Sequence, residues 1–386
     1  MAEPLDVVIA GGGIAALETM LALHDLAGPR VRLTVVSPRT DVAVPALRTA
    51  TAFTRREPPR PSLRDLVARS GAKLVPTVVR RVVADEHLAV LGSGRRLEYD
   101  ALVLALGARP VPAYGREVVT FGLEDAAEDL PAILADAEDG HVHSIAFVVP
   151  PGVAWTLPLY ELALQAAHRL REHGAGEVRI SLVTPEDAPL ALFGSIASAA
   201  VADRLERAGV ALHLGSYAEV AAPGRLALRP GRRTLWADRV VALPVLEGPA
   251  VRGVPTDEHG FLPVDDRGRV RGLDDVWAVG DATSFPIKQG GIACQLADAI
   301  AEQLAARAGA GVAPRPFRPV LRAHLVTGEG VDELVAPVCG GAGEGSCTCD
   351  VPGAPARKVE GRHLSALLGA EPGFAQAPAA EAEPVA

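Results

Sequence analysis

The chain opens on a strand that runs straight into three consecutive glycines, and this junction constrains the fold more than any other feature. Leu5 to Ala10 is a short apolar run of the buried-strand type, Gly11-Gly12-Gly13 breaks it, and Ile14 to Ala27 reads as a helix stopped by Gly28-Pro29. Val31 to Val36 is a second β-rich run. Within this β–loop–α–β unit, Ile9-Ala10-Gly11-Gly12-Gly13-Ile14-Ala15-Ala16 fits the pattern GxGxxA. The first glycine permits a tight turn, the second lets the backbone approach a pyrophosphate, and a small third residue lets the helix pack on the strand. The free N–H groups and the dipole of the helix start favour an anion there. The expected contacts of a dinucleotide are Gly11, Gly13, Ile14, Ala15 and Ala16. The acidic residue that normally ends the second strand and holds a ribose hydroxyl is absent, because the strand ends Val35-Val36-Ser37-Pro38-Arg39. Ser37 offers one short neutral group instead, and Arg39 suits a phosphate or stacking on adenine.

A second βαβ pattern follows an acidic, helical stretch over 122–140. It runs through a strand at Ser144–Val149, a turn at Pro150-Pro151-Gly152, a helix at Leu157–Glu172 and a strand at Glu177–Thr184. A helix over 196–208 and a strand over 210–214 come next, and Arg239–Leu243 returns the chain to the first unit. Ile292, Leu296, Ile300 and Leu304 recur every four residues and predict a helix over 292–307. After Pro314 the periodicity fades, and residues 371–386 are mostly Ala, Pro, Glu and Gln, a composition expected to be disordered.

At 386 residues the chain fits two or three domains. A net charge of −9 argues against a nucleic-acid partner, because phosphate binding needs a basic surface. No basic n-region opens the chain and no apolar run reaches membrane-spanning length, so the sequence reads as cytoplasmic, with at most peripheral membrane contact. HExxH, GxSxG and P-loop patterns are missing, which removes support for hydrolase and kinase chemistry. His141 and His143 read as exposed residues at a domain boundary.

Two later segments carry a family resemblance. Tyr99-Asp-Ala-Leu-Val-Leu-Ala-Leu-Gly-Ala108 resembles the Y-D-x-L-(apolar)-A-T-G-A strand of FAD/NAD-linked reductases, with Leu106 in the Thr position. Asp275-Val-Trp-Ala-Val-Gly-Asp-Ala282 resembles their late V-(F/W/Y)-A-x-G-D motif. The resemblance is to the FAD-dependent pyridine nucleotide-disulfide oxidoreductase superfamily, and spans roughly residues 5–310. Within it, the likeness is strongest to sulfide:quinone oxidoreductases and type II NADH dehydrogenases. It implies FAD as cofactor, with Ala105, Gly107 and Gly280 at the flavin nucleotide and Asp281 holding its ribityl chain. Phe285-Pro-Ile-Lys288-Gln289-Gly290 is similar to the Pro-x-Lys-x-Gly segment of the sulfide:quinone branch, which passes beneath the flavin ring and starts a helix. That similarity implies cofactor contacts from Lys288, Gln289 and Gly290, and gives Lys288 a catalytic role in favouring reduced, anionic flavin. The contrary reading of Lys288 is a solvated loop residue.

The sequence also departs from the family. NADH-using relatives carry a second GxGxxG, whereas here Val149-Pro-Pro-Gly-Val-Ala-Trp155 has two prolines that remove N–H donors and a tryptophan that crowds the turn. The mid-chain cysteine pair of the sulfide branch is absent, and so is an early CxxxxC. The four cysteines are Cys294, Cys339, Cys347 and Cys349. By resemblance to a late catalytic cysteine of the sulfide branch, Cys347 and Cys349 are candidate redox thiols; metal binding by this loop and an inert loop are the other readings, and no metal site is expected. Cys294 reads as a small buried core residue, and Glu161 as either a proton-handling carboxylate or a solvated helix position.

The expected architecture is α/β, with two Rossmann-like dinucleotide-binding domains and a short C-terminal region. A discontinuous FAD domain occupies 1–121 and 245–325, with a degenerate NAD-like domain inserted at 122–244. A C-terminal region covers 326–370, and a tail covers 371–386. The expected function is FAD-dependent electron transfer from a small reductant, either a sulfur compound or NAD(P)H, to a quinone or similar acceptor. The alternative is a non-catalytic flavin-binding redox sensor or a partner-fed electron carrier.

Overall fold

In the computed structural model, which describes residues 3–54, 57–123, 126–338, 346–348 and 358–370, the run Leu5–Ala10 is the central strand of a five-stranded sheet. It is flanked by Val31–Val36 and Ala101–Leu104, with Lys73–Val75 and Val276–Ala278 at the edges, and every pairing is parallel. The side chains alternate as a strand requires. Val7 and Ile9 enter one apolar cluster while Val8 and Ala10 enter another, so both faces of the sheet are covered. This is why the run is continuously apolar.

A second parallel sheet has the order Val210–His213, Arg179–Val183, Ser144–Val148, Arg239–Ala242 and Val119–Thr120. Its edge strand, Val119–Thr120, pairs with Val241–Ala242 and lies just before the acidic helical stretch in the chain. Among the described residues four smaller antiparallel sheets complete the strands, one of them formed by Val320–Val326, Val331–Pro337 and Ser346–Thr348.

The helices are α1 (Ile14–Ala27), α2 (Arg48–Thr51), α3 (Leu63–Arg69), α4 (Ala126–Glu138), α5 (Leu157–Glu172), α6 (Gly194–Arg207), α7 (Gly290–Arg307) and α8 (Leu364–Ala370). Leu17, Met20 and Leu23 of α1 pack with Leu296, Ile300 and Leu304 of α7 on the first sheet. Alanines at 293, 297, 301 and 305 let α7 approach closely, and all four are buried.

The fading periodicity after Pro314 conceals the hairpin of Val320–Val326 and Val331–Pro337. The segment 358–370 then crosses back to the first unit, where Val359, Leu364 and Leu368 are buried in the same cluster as α1 and α7. Among the described residues, no helix is long and apolar enough to cross a membrane. The expected disordered tail, 371–386, lies outside the described residues.

Candidate functional site

The glycine loop is shaped by three different constraints. Gly11 has φ +137°, in the region that favours glycine, and a Cβ there would collide with the Ala105 carbonyl. The loop is pinned on both sides, with Gly11 N–H donating to Val36 O at 2.9 Å and Ala105 N–H to Ala10 O at 2.8 Å. A Cβ on Gly12 would lie 2.5 Å from Ser37 Oγ and 2.7 Å from Leu63 Cδ2. Gly13 differs from both, because a Cβ would meet nothing within 4 Å. Gly13 is the N-cap of α1 and supplies no capping side chain, so the first N–H groups of the helix face that open side. An anion fits this place.

The other two motifs arrive at the same corner. Val279 N–H donates to Leu104 O at 3.1 Å, which aligns the ends of the strands Ala101–Leu104 and Val276–Ala278. Gly107, with φ +70°, has open space where a side chain would be. A Cβ on Gly280 would come within 3.0 Å of Ala15 Cβ and 3.4 Å of Ala293 Cβ. The first turn of α1, the Gly280-Asp281 turn and the first turn of α7 therefore converge. Asp281 follows with its carboxyl pushed up by burial, against the opposing pull of Lys288.

Ser37 is buried beneath the loop, where its Oγ packs against Gly12 and accepts Arg39 N–H at 3.2 Å. Arg39 itself is exposed. The serine shapes the turn, and Arg39 is the accessible group at this end.

Lys288 is half-buried, not a solvated loop residue. Its Nζ donates to the carbonyls of Thr283 and of Asp281, the latter at 3.3 Å, and lies 3.7 Å from the centre of the Phe261 ring. Burial pulls its pKa down to about 8, although Asp281 and Asp257 oppose the shift. Gln289 caps α7, its Oε1 accepting Ile292 N–H at 2.8 Å and its Nε2 donating to Arg322 O at 3.1 Å. Gly290 has no room for a side chain, since Val359 Cγ atoms lie 3.0 Å from where its Cβ would be. A small cleft beside these groups is lined by Asp281, Phe285, Gln289, Ile292 and Phe317.

Glu161 is 1% exposed, which overturns its reading as a solvated helix position. It forms a buried ion pair with Lys358 and accepts Val326 N–H at 2.9 Å, while Lys358 Nζ also donates to His324 O at 3.1 Å. Lys358 precedes Val359, the residue that covers Gly290, so the pair anchors the C-terminal segment over the start of α7. No local pattern in the sequence around Lys358 signals this contact.

In the second unit the turn Pro150–Gly152 leads to Trp155, whose ring centre is 6.2 Å from that of Phe193. Glu186 stands just past the strand Arg179–Val183, where a dinucleotide fold places its ribose-binding acid. Here that carboxylate is already engaged, with Tyr160 Oη donating at 2.8 Å and Thr184 Oγ1 at 2.9 Å. Burial raises the Glu186 pKa, and hydrogen bonds from Tyr160, Thr184 and Thr156 oppose the shift. No local motif marks this network, although Glu186 sits at the position where the fingerprint calls for an acid.

Cys347 lies on the strand Ser346–Thr348, opposite Leu334. Its proposed partner Cys349, and Cys339, lie outside the described residues. Cys294 is buried as expected, its thiol pushed well up by burial and by Glu18 and Asp298.

Residues 5–302 match the family model described as pyridine nucleotide-disulphide oxidoreductase. The chain belongs to that family. Family membership makes it an oxidoreductase of a group whose members are typically flavoproteins. The chain is 25% identical over 220 residues to the internal alternative NAD(P)H-ubiquinone oxidoreductase A1, mitochondrial, of Arabidopsis thaliana, a match covering 49% of this chain. It spans only 41% of that relative's length. Its fold is similar to that of the sulfide:quinone oxidoreductase of the hyperthermophilic bacterium Aquifex aeolicus, with TM-score 0.80, 20% identity and coverage of 89% of this chain and 86% of the other. It is also similar to an NAD-dependent persulfide reductase from A. fulgidus, with TM-score 0.62, 17% identity and coverage of 86% and 64%.

Proposed function

We propose that this chain is an FAD-dependent oxidoreductase that takes electrons from a small sulfur reductant of the sulfide class and passes them to a quinone. The observation that carries the cofactor is the open side of Gly13 at the uncapped start of α1, where a pyrophosphate fits and where a side chain would take up the space the phosphates need. FAD would rest on Gly11, Gly13 and the first-turn N–H groups of Ile14, Ala15 and Ala16, with Arg39 at the adenosine end and Asp281 at the ribityl chain. Ala105, Gly107, Gly280, Gln289 and Gly290 would shape the walls. When bound, FAD supplies two-electron acceptance and release.

Lys288 donates to two carbonyls of the Asp281–Thr283 turn, and its charge would favour negative charge on a flavin lying beside that turn. NAD(P)H does not fit the second unit. Pro150 and Pro151 offer no N–H to a pyrophosphate, and Glu186 is committed to Tyr160 and Thr184. That observation favours a donor other than a nicotinamide, and no step through NAD(P)H is assigned. The quinone acceptor is supported by the two relatives whose names include a quinone, and Cys347 with Cys349 remains the proposed thiol pair for a sulfur donor.

Anaerobic stopped-flow mixing of the FAD-loaded protein with sulfide, NADH or NADPH tests the reading. Bleaching of the flavin band by sulfide and by neither nicotinamide is expected. Bleaching by NADH or NADPH would reject the donor assignment. Failure of every donor would move the protein to a sensor or a partner-fed carrier.

A further inference from the structure

We propose that Glu18, Asp298 and His363 form a binding site for one divalent transition-metal ion of the zinc class, which pins the C-terminal segment to α1 and α7. The three residues come from three separate parts of the chain, and their ligand atoms all lie within 4.8 Å of one another. Glu18 on α1 is fully buried. Its two oxygens accept N–H groups of the C-terminal segment, Oε1 from His363 at 2.9 Å and Oε2 from Leu364 at 2.7 Å. Each carboxylate oxygen keeps a further lone pair.

The stronger indication is a pair of orphaned atoms. Asp298 Oδ1 and His363 Nε2 are both buried without a hydrogen-bond partner, 3.9 Å apart. His363 Nδ1 lies 2.7 Å from Asp25 Oδ2. An ionised carboxylate can only accept, so Nδ1 donates to Asp25 and Nε2 is the ring nitrogen left to face a metal. Nε2 and Asp298 Oδ1 thus share a buried space next to a second carboxylate, with neither atom hydrogen-bonded, and a metal ion between them would give both a partner. Arg362, the nearby guanidinium, pairs with Glu302.

The geometry suits such an ion. A carboxylate holding the far nitrogen of a ligand histidine is the usual outer support of a metal site, and Asp25 occupies that place. One imidazole and two carboxylates suit a borderline ion such as zinc. Two ligands of a tetrahedral zinc stand roughly 3.4 Å apart, so Asp298 and His363 must close by about 0.5 Å, within reach of side-chain rotation. The ion would lie between helices, away from the glycine loop, and its role would be structural.

The test uses the full-length FAD-loaded protein, chelator-treated, desalted and titrated with Zn2+ by calorimetry. One equivalent should bind at micromolar concentration or tighter, and His363→Ala and Asp298→Asn should each weaken binding at least tenfold. Asp25→Asn, an exposed and structurally mild change, should weaken it by roughly 10–100-fold. A variant with Cys339, Cys347 and Cys349 all changed to Ser should bind as the parent does, and flavin absorbance reports that each variant is folded. The proposal is overturned by no saturable binding, by undiminished binding in Asp25→Asn and Asp298→Asn, or by loss of binding in the triple-serine variant. Absence of Zn2+ binding would mean that a proton shared between Glu18 and Asp298 fills the space instead.

Discussion

Replacing Lys358 by Met should release the C-terminal segment from the start of α7. The side chain of Lys358 is 4% exposed and that of Glu161 is 1% exposed, so the change leaves a carboxylate buried with only the Val326 N–H as partner. Removing one member of a buried pair typically costs about 3–5 kcal/mol. Because Val359 and Leu364 dock beside the pair, the loss should appear as local opening of 358–370. The opening equilibrium should rise on the order of 10²–10⁴-fold. Hydrogen-exchange mass spectrometry on peptides from 358–370 measures this directly. The double variant Glu161→Gln/Lys358→Met removes both charges, keeps an acceptor for Val326 N–H and fills the lysine stem with a side chain of similar length. It should return to within about 2 kcal/mol of the parent, since replacing both members of such a pair is far milder than removing one. Unchanged exchange in Lys358→Met, or a double variant as open as the single, would refute the assignment of the pair as the anchor.

Further expectations concern the cofactor corner and the second unit. Gly13→Ala has free space, so the protein should fold normally but lose at least tenfold in FAD affinity, measured by flavin fluorescence titration. Gly11→Ala should lower stability by about 1–3 kcal/mol as well, because it combines φ +137° with a collision at Ala105, and thermal unfolding separates the two variants. Lys288 should lose its proton near pH 8, so any help it gives to negative charge at the cleft is full below that pH and lost above it. A plot of flavin midpoint potential against pH should therefore change slope near 8 in the parent and not in Lys288→Met. The same depressed pKa means that this group's contribution to folding stability rises with pH between about 8 and its ordinary 10.5. NADH and NADPH should give no saturable change in tryptophan fluorescence, since Trp155 sits at the turn a nicotinamide dinucleotide would have to approach.

The parts legible in the sequence are those fixed by local chemistry. Leu5–Ala10, the three glycines and α1 are readable because strand, break and helix follow within one short window, and the helix Leu157–Glu172 falls at its expected bounds. The corner where Gly13, Gly107 and Gly280-Asp281 meet was reachable because each carries its own motif. What stayed hidden depends on contacts across long stretches of chain. Lys358 finds Glu161 at a separation of 197 residues, and Leu364 finds Glu18 at 346. No periodicity marks such partners, because the burial that makes them important is created by the fold. The hairpin after Pro314 was missed because its buried positions, such as Leu321, Ala323 and Leu325, are interleaved with Arg322 and a buried His324 in a composition that reads as irregular. The role of Glu186 is not legible because its partner Tyr160 lies 26 residues away, on a helix behind a broken glycine turn.

The most direct test of the central claim is the visible spectrum of the purified full-length protein, followed anaerobically while sulfide is added. A bound flavin band that bleaches with sulfide and returns on adding a quinone is the expected result. A protein that carries no flavin, and takes up none from added FAD, would contradict it.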